Sequence, residues 1–282
     1  MSFSQVMRHD FPEEVPRPGR LAALRERIRH IEQPASHGVL PFGVAAIDRV
    51  LPDGGLALGA VHEILGIDGD EEDGAAACGF IAGLLARLRM GPVLWCVKRP
   101  DLYGPGLLAH GLDPARLVIV TAPRDEDILW AIEEGLRAPG LVAVIGEIGR
   151  LPLVAGRRLQ LAAERSGITA FLLRRWRNSE EAARERERPS AAVTRWRIAA
   201  LPARDIDDPR LRQLIGQPRW RVELLRCRGG VPAQWVVESG DVEVADATGH
   251  VRLSPELADR PAAPVDRKEG RLAAEPLQRR TG

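Results

Sequence analysis

Lysine, cysteine and long apolar runs are all scarce in this sequence, and each shortage closes off a class of protein. Only two of its 40 basic residues are lysines, Lys98 and Lys268. Its three cysteines, Cys78, Cys96 and Cys227, lie far apart with no paired spacing. That argues against a disulfide framework and against a zinc site, and it fits a reducing cytoplasm. The six histidines, His9, His30, His37, His62, His110 and His250, show no metal-ligand spacing. No stretch approaches the ~20 apolar residues that cross a bilayer. Residues 1–18 mix acids, arginines and prolines, where a secretion signal would carry an apolar core. A cytoplasmic protein without a membrane segment is expected, and no bound cofactor or metal.

What is present suggests one large α/β unit with tails. The chain has 282 residues and 45% hydrophobic composition, enough for a sizeable core. Residues 1–19, rich in proline and charge, are expected to be disordered. In residues 20–36, Leu21, Leu24, Ile28 and Ile31 recur at steps of 3, 4 and 3, which line one face of a helix that Pro34 ends. Such a helix folds onto its own core or docks on a neighbour. The core should span 37–240, and the Pro-, Ala- and charge-rich tail 241–282 should be disordered. Within the core, apolar runs at 92–97, 117–120, 141–145 and 168–173 read as strands. They alternate with helical patterns at 74–89, 102–110, 125–136 (Trp130 and Leu136 inward) and 151–165. This alternation implies a mostly parallel sheet with helices on both faces. Residues 193–199, 219–226 and 234–238 alternate apolar and polar, as half-exposed antiparallel strands do. Trp196 and Trp220 then point inward.

Between Gly59 and Phe80 a short apolar strand, a glycine-bounded loop and a small-residue helix start follow one another, the framework of a P-loop. The loop runs Gly66, Ile67, Asp68, Gly69, Asp70, Glu71, Glu72, Asp73, Gly74. A phosphate-binding loop of the form GxxxxGK[ST] supplies a lysine for the phosphates and a hydroxyl for Mg²⁺. Neither follows Gly74, the loop is three residues longer, and it holds five carboxylates. At ~6–8 Å each carboxylate repels a unit phosphate charge by roughly 0.5–0.7 kcal/mol even in water. Ordinary nucleotide binding is disfavoured.

The surroundings carry a resemblance. Upstream stand Leu40-Pro41-Phe42-Gly43, then Ile47-Asp48 and Gly54-Gly55-Leu56, the order found before the P-loop of RecA-type recombinases. Further on come Gly111-Leu112-Asp113-Pro114, Trp130-Ala131-Ile132-Glu133-Glu134, and a run from Arg219-Trp220-Arg221 to Arg228-Gly229-Gly230. Together these resemble the ImuA family of damage-inducible mutagenesis proteins, within the RecA-like superfamily, as far as about Glu238.

The resemblance implies a RecA-like three-layer fold with antiparallel C-terminal strands. It implies a role in SOS-induced translesion synthesis as a scaffold or regulator of a polymerase-like partner. The implied partners are ImuB, a protein related to Y-family polymerases, and through it an error-prone replicative-type DNA polymerase, with RecA and single-stranded DNA as further candidates. An atypical ATPase and a damage-induced cell-division inhibitor are the rival readings.

Position by position, the catalytic outline is degenerate. Lys98 and Arg99 stand where recombinases carry the glutamate that activates water, and neither cation can accept a proton. Gly146 falls at the magnesium-side aspartate. Its neighbour Glu147 either serves by a one-residue slip or is an exposed loop carboxylate. Arg226 and Arg228 match the basic pair that reaches a neighbouring protomer's nucleotide, and here either meet a neighbour's acidic loop or form a solvated face.

Arginine is concentrated in the C-terminal half: fifteen arginines against eight acids between Arg174 and Arg228. Residues 176–189 read as a mobile loop or frayed helix, where recombinases carry a DNA-contacting loop. Arg174, Arg175, Trp176 and Arg177 at its mouth are the candidate DNA contacts, the tryptophan by stacking on a base.

Overall fold

Apolar runs of five or six residues, too short for helices, pair side by side and build one sheet. The structure is a computed structural model and describes residues 37–66, 70–88, 91–176, 179–201, 219–239 and 251–253. A small entry motif comes first: β1 (Val39–Leu40), α1 (Ala45–Asp48) and β2 (Leu56–Ala57), with β1 and β2 paired antiparallel. Next are β3 (Val61–Gly66), α2 (Asp70–Ala86), β4 (Val93–Val97), α3 (Gly104–Ala109), β5 (Leu117–Thr121) and α4 (Asp125–Gly135). After these the chain forms β6 (Ala143–Ile148), α5 (Leu153–Ser166), β7 (Thr169–Arg174) and α6 (Ser179–Arg186). Four strands close it: β8 (Thr194–Leu201), β9 (Arg219–Cys227), β10 (Ala233–Ser239) and β11 (Val251–Leu253).

The nine-stranded sheet has the order β11-β10-β9-β8-β3-β7-β6-β4-β5. From β8 to β5 all neighbours are parallel, and β9, β10 and β11 add on antiparallel. This is the expected α/β architecture with antiparallel C-terminal strands. The pairing of Val251–Leu253 with β10 adds a short edge strand to the sheet. Residues 1–36, with the expected N-terminal helix, lie outside the described residues.

Side chains alternate across the strands and feed two cores. On the α2 face, Trp95, Phe171, Trp196, Trp220 and Trp235 join Phe42, Phe80 and Leu84. On the α4 and α5 face the core is aliphatic, with Leu94, Val144, Leu172, Ile128, Ile132 and Leu159. Trp196 and Trp220 point inward as expected. Trp130 does not: it is 67% exposed. In α4 the buried residues are Ile128, Ile132, Glu133 and Gly135, followed by Leu136, and the apolar ones among them line one face. Residue 130 falls half a turn off that stripe.

Two further expectations shift. Helix α2 begins at Asp70, four residues before the expected start. Asp70, Glu71, Glu72 and Asp73 therefore belong to its first turn, where the helix dipole favours carboxylates. Within 176–189, a regular helix forms at Ser179–Arg186.

Candidate functional site

Glycine at 146 and glutamate at 147 are sorted by the strand's alternation. A Cβ at Gly146 would lie 2.1 Å from Cδ1 of Ile132, so this position faces α4 and is glycine because that helix sits directly on it. Residue 147 faces the other way, into a cleft of about 470 Å³ between α2 and α3. Gly74, Ala75, Cys78 and Gly79 of α2 form one wall, Arg99, Asp101 and Tyr103 lie beyond β4, and Glu147 and Arg175 form the floor.

Glu147 is not an exposed loop carboxylate: it sits within β6 and is 1% exposed. Its carboxylate accepts hydrogen bonds from the Trp95 indole N–H at 3.3 Å and from Arg175 Nη1 at 2.7 Å. Arg175 also grips Asp101 with both terminal nitrogens, at 3.1 and 2.8 Å. Burial pushes the Glu147 carboxyl above its ordinary range, against the pull of Arg175. The Arg175 hydrogen bond holds the Asp101 carboxyl below its own. Lys98 turns away to Asp125 at 2.6 Å, and the same carboxylate receives the backbone N–H groups of Gly149 and Arg150. Among the described residues, no group of three or more His, Cys, Asp or Glu side chains forms a metal site.

The acidic loop itself is only partly visible. Gly66 closes β3 and Gly74 lines the cleft, whereas Asp68 and Gly69 lie outside the described residues.

Beside the cleft, where β3, β7 and β8 meet, lies a second and nearly sealed charge cluster. Arg174 is 4% exposed and bonds Glu63 at 3.3 Å, Glu185 at 3.1 Å and the Gly149 carbonyl at 2.7 Å. Glu63, fully buried, also binds Arg195 at 3.0 Å and the Ser190 hydroxyl. Trp176 is 8% exposed, donates its indole N–H to Gly149 at 2.9 Å, and packs with Leu65 and Ala182 of α6. The guanidinium groups of Arg174 and Arg186 lie 5.5 and 5.7 Å from its ring centre.

The expected DNA contacts lie in and beside this cluster. Arg174 and Trp176 serve the interior, Arg175 is committed to two carboxylates, and Arg177 lies outside the described residues. Nor do Arg226 and Arg228 form a plain solvated pair. Arg226 Nη1 donates to the Ser190 carbonyl and Arg228 Nη2 to that of Ala191 at 3.5 Å. Much of the arginine excess is thus spent inside the fold, including Arg197 on Glu223 at 2.8 Å.

Sequence reasoning passed over Glu63, His62 and Asp101. A signal existed for the first two: a polar pair in the middle of a central apolar strand demands buried partners. His62 finds them in Thr194 at 2.7 Å and the Ala57 carbonyl at 2.8 Å. Trp196 donates to the same Thr194 hydroxyl at 2.7 Å, so the chain of bonds is complete with a neutral imidazole. Burial lowers the His62 pKa to about 4.

No family model matches the sequence. The chain is 39% identical over 237 residues to Protein ImuA of Caulobacter vibrioides strain NA1000 / CB15N. It matches the protein of that name from strain ATCC 19089 / CIP 103742 / CB 15 to the same degree. The aligned region covers 81% of this chain and 93% of each relative.

Proposed function

The chain belongs to the ImuA family, the damage-inducible mutagenesis proteins, and on that premise we propose that it is a non-catalytic, RecA-like accessory protein of SOS-induced error-prone translesion DNA synthesis. It scaffolds or regulates a polymerase-like partner. The observation that carries the non-catalytic part is the Glu147–Arg175–Asp101 lock. Glu147 is the one carboxylate on β6 that faces the cleft, and an arginine already neutralises it.

A Mg²⁺–nucleotide complex entering here has to separate that pair. Stripping one partner from a buried ion pair costs about 3–5 kcal/mol, and each 1.4 kcal/mol is about tenfold in affinity. Arg99, at the cleft wall, is a cation where a water-activating base belongs. In the sequence, five carboxylates between Asp68 and Asp73 and no lysine after Gly74 add repulsion where a working loop binds phosphate.

The partner that fits is ImuB, and through it an error-prone replicative-type polymerase. With Arg174 and Trp176 buried, the connection to DNA runs through those partners, RecA among the candidates, in preference to a stacking loop. Co-purification with ImuB, with and without residues 1–36 and 241–282, tests the scaffold. The expected outcome is a stable complex with the full chain. Calorimetry with ATP and Mg²⁺ tests the lock, with no saturable binding below millimolar concentration expected. A micromolar dissociation constant, or hydrolysis abolished by Glu147→Gln, overturns it in favour of an atypical ATPase.

A further inference from the structure

On the outer surface of the α4–α5 layer, a strip of exposed apolar side chains follows the seam between the two helices. The ion pair between Glu133 of α4 and Arg158 of α5 fixes how the helices lie beside each other. One turn back from that pair come Trp130 on α4 and Val154 on α5, 67% and 71% exposed. One turn forward on α5 comes Leu161, 53% exposed. The underlying core is already filled by Ile128, Ile132 and Leu159, so these three side chains are not reaching inward.

The described chain begins beside this strip. His37 Nε2 bonds the carbonyl of Glu164, in the last turn of α5, at 2.7 Å. The His37 ring rests on Gly59 and Gly167, where a Cβ would come within 2.3 and 2.9 Å of it. The residues just before His37 thus leave from the C-terminal end of the seam. Their sequence carries Leu21, Leu24, Ile28 and Ile31 on one helical face. At 1.5 Å per residue, Leu24 to Ile31 spans about 10 Å, as does Val154 to Leu161. Residues 34–36 are long enough to join the end of such a helix to His37 at the same end of α5.

We propose that residues 20–33 fold back in cis as a helix parallel to α5, laying Leu24, Ile28 and Ile31 over Trp130, Val154 and Leu161. The occupant is this chain's own segment because the tether holds it at the seam, at the high effective concentration a short linker provides. The inference is independent of the cleft.

Hydrogen exchange of full-length protein reads the docking directly. Amides 22–31 should exchange at least about tenfold slower than in the triple variant Trp130→Ala/Val154→Ser/Leu161→Ser. These three side chains are exposed, so the variant keeps its core. Conversely, hydroxyl-radical oxidation of Trp130 should rise several-fold in Leu24→Asp/Ile28→Asp. Full exchange of 22–31 in wild type overturns the proposal, as does Trp130 oxidation unchanged by the stripe substitutions. Protection that disappears on dilution overturns it in favour of a second copy on the seam. Protection that appears only when ImuB is added overturns it in favour of that partner.

Discussion

Two ion-pair clusters stand side by side at the same end of the sheet and differ in how much water reaches them. In the sealed cluster the side chains of Glu63, Arg174, Glu185 and Arg195 are 0, 2, 8 and 11% exposed. In the cleft cluster those of Glu147, Arg175 and Asp101 are 1, 15 and 42% exposed. The first joins β3, β7, β8 and α6 and is nearly closed to water. The second has one closed side and one wet side, the arrangement of a site with its occupant built in. Buried charges set against opposite charges hold elements in register; the half-open set is where chemistry would be sought.

Breaking the sealed cluster should have the largest effect. Glu63→Ala leaves Arg174 and Arg195 buried together, and should cost about 3–5 kcal/mol in a urea melt. A loss below about 1 kcal/mol would mean that water already enters this corner. Trp176→Ala comes next. It removes the anchor of α6 and should lose about 3 kcal/mol, the low end for an aromatic truncation, because its cluster is small. Single-strand affinity, followed by fluorescence anisotropy, should not change; a selective loss of DNA binding in a fully stable variant would restore Trp176 as a stacking residue.

His62, two strands' width from the cleft cluster, supplies a pH test. Its folded pKa of about 4 lies below the ordinary 6.5, so between those values the unfolded chain binds a proton that the folded one refuses. Stability should fall as pH drops from 6.5 towards 4, by about 3 kcal/mol in all. Melts of His62→Gln across the same range should lack this component. The smallest effect belongs to the wet side: Asp101→Asn should cost less than about 1 kcal/mol, because the carboxylate is half open to solvent. A larger loss would put the cleft cluster with the sealed one.

Much of this architecture could be read from apolar patterning, and the misses share a cause. The runs at 92–97, 141–145 and 168–173 are strands because four or five consecutive apolar residues bounded by glycine or proline have a buried place only in a covered sheet. Strand alternation likewise put Trp196 and Trp220 inside. The sequence pattern failed where a single residue's direction depends on a distant partner. Glu147 looks like a loop residue until Arg175, Asp101 and Trp95 arrive from three other segments. Arg174 and Trp176 look like a basic aromatic clamp until Glu63 and Gly149 close on them. Trp130 points outward for a local reason: its angle on the helix lies half a turn from the Ile128–Ile132 stripe, whatever its hydrophobicity. The start of α2 is hard to read because an acidic run resembles a loop, although carboxylates suit a first turn.

The position of β3 also sets a timetable for synthesis. The strand lies between β7 and β8, and its bonds to them join residues 111 and 132 positions apart. A ribosome adds roughly 5–20 residues per second, so an apolar strand made early waits several seconds or more for both neighbours. Throughout that interval Glu63 and His62 are without the side chains that later neutralise or bond them. The nascent chain therefore completes its centre late, and a ribosome stalled before residue 194 presents an α/β half with its middle strand bare on one side.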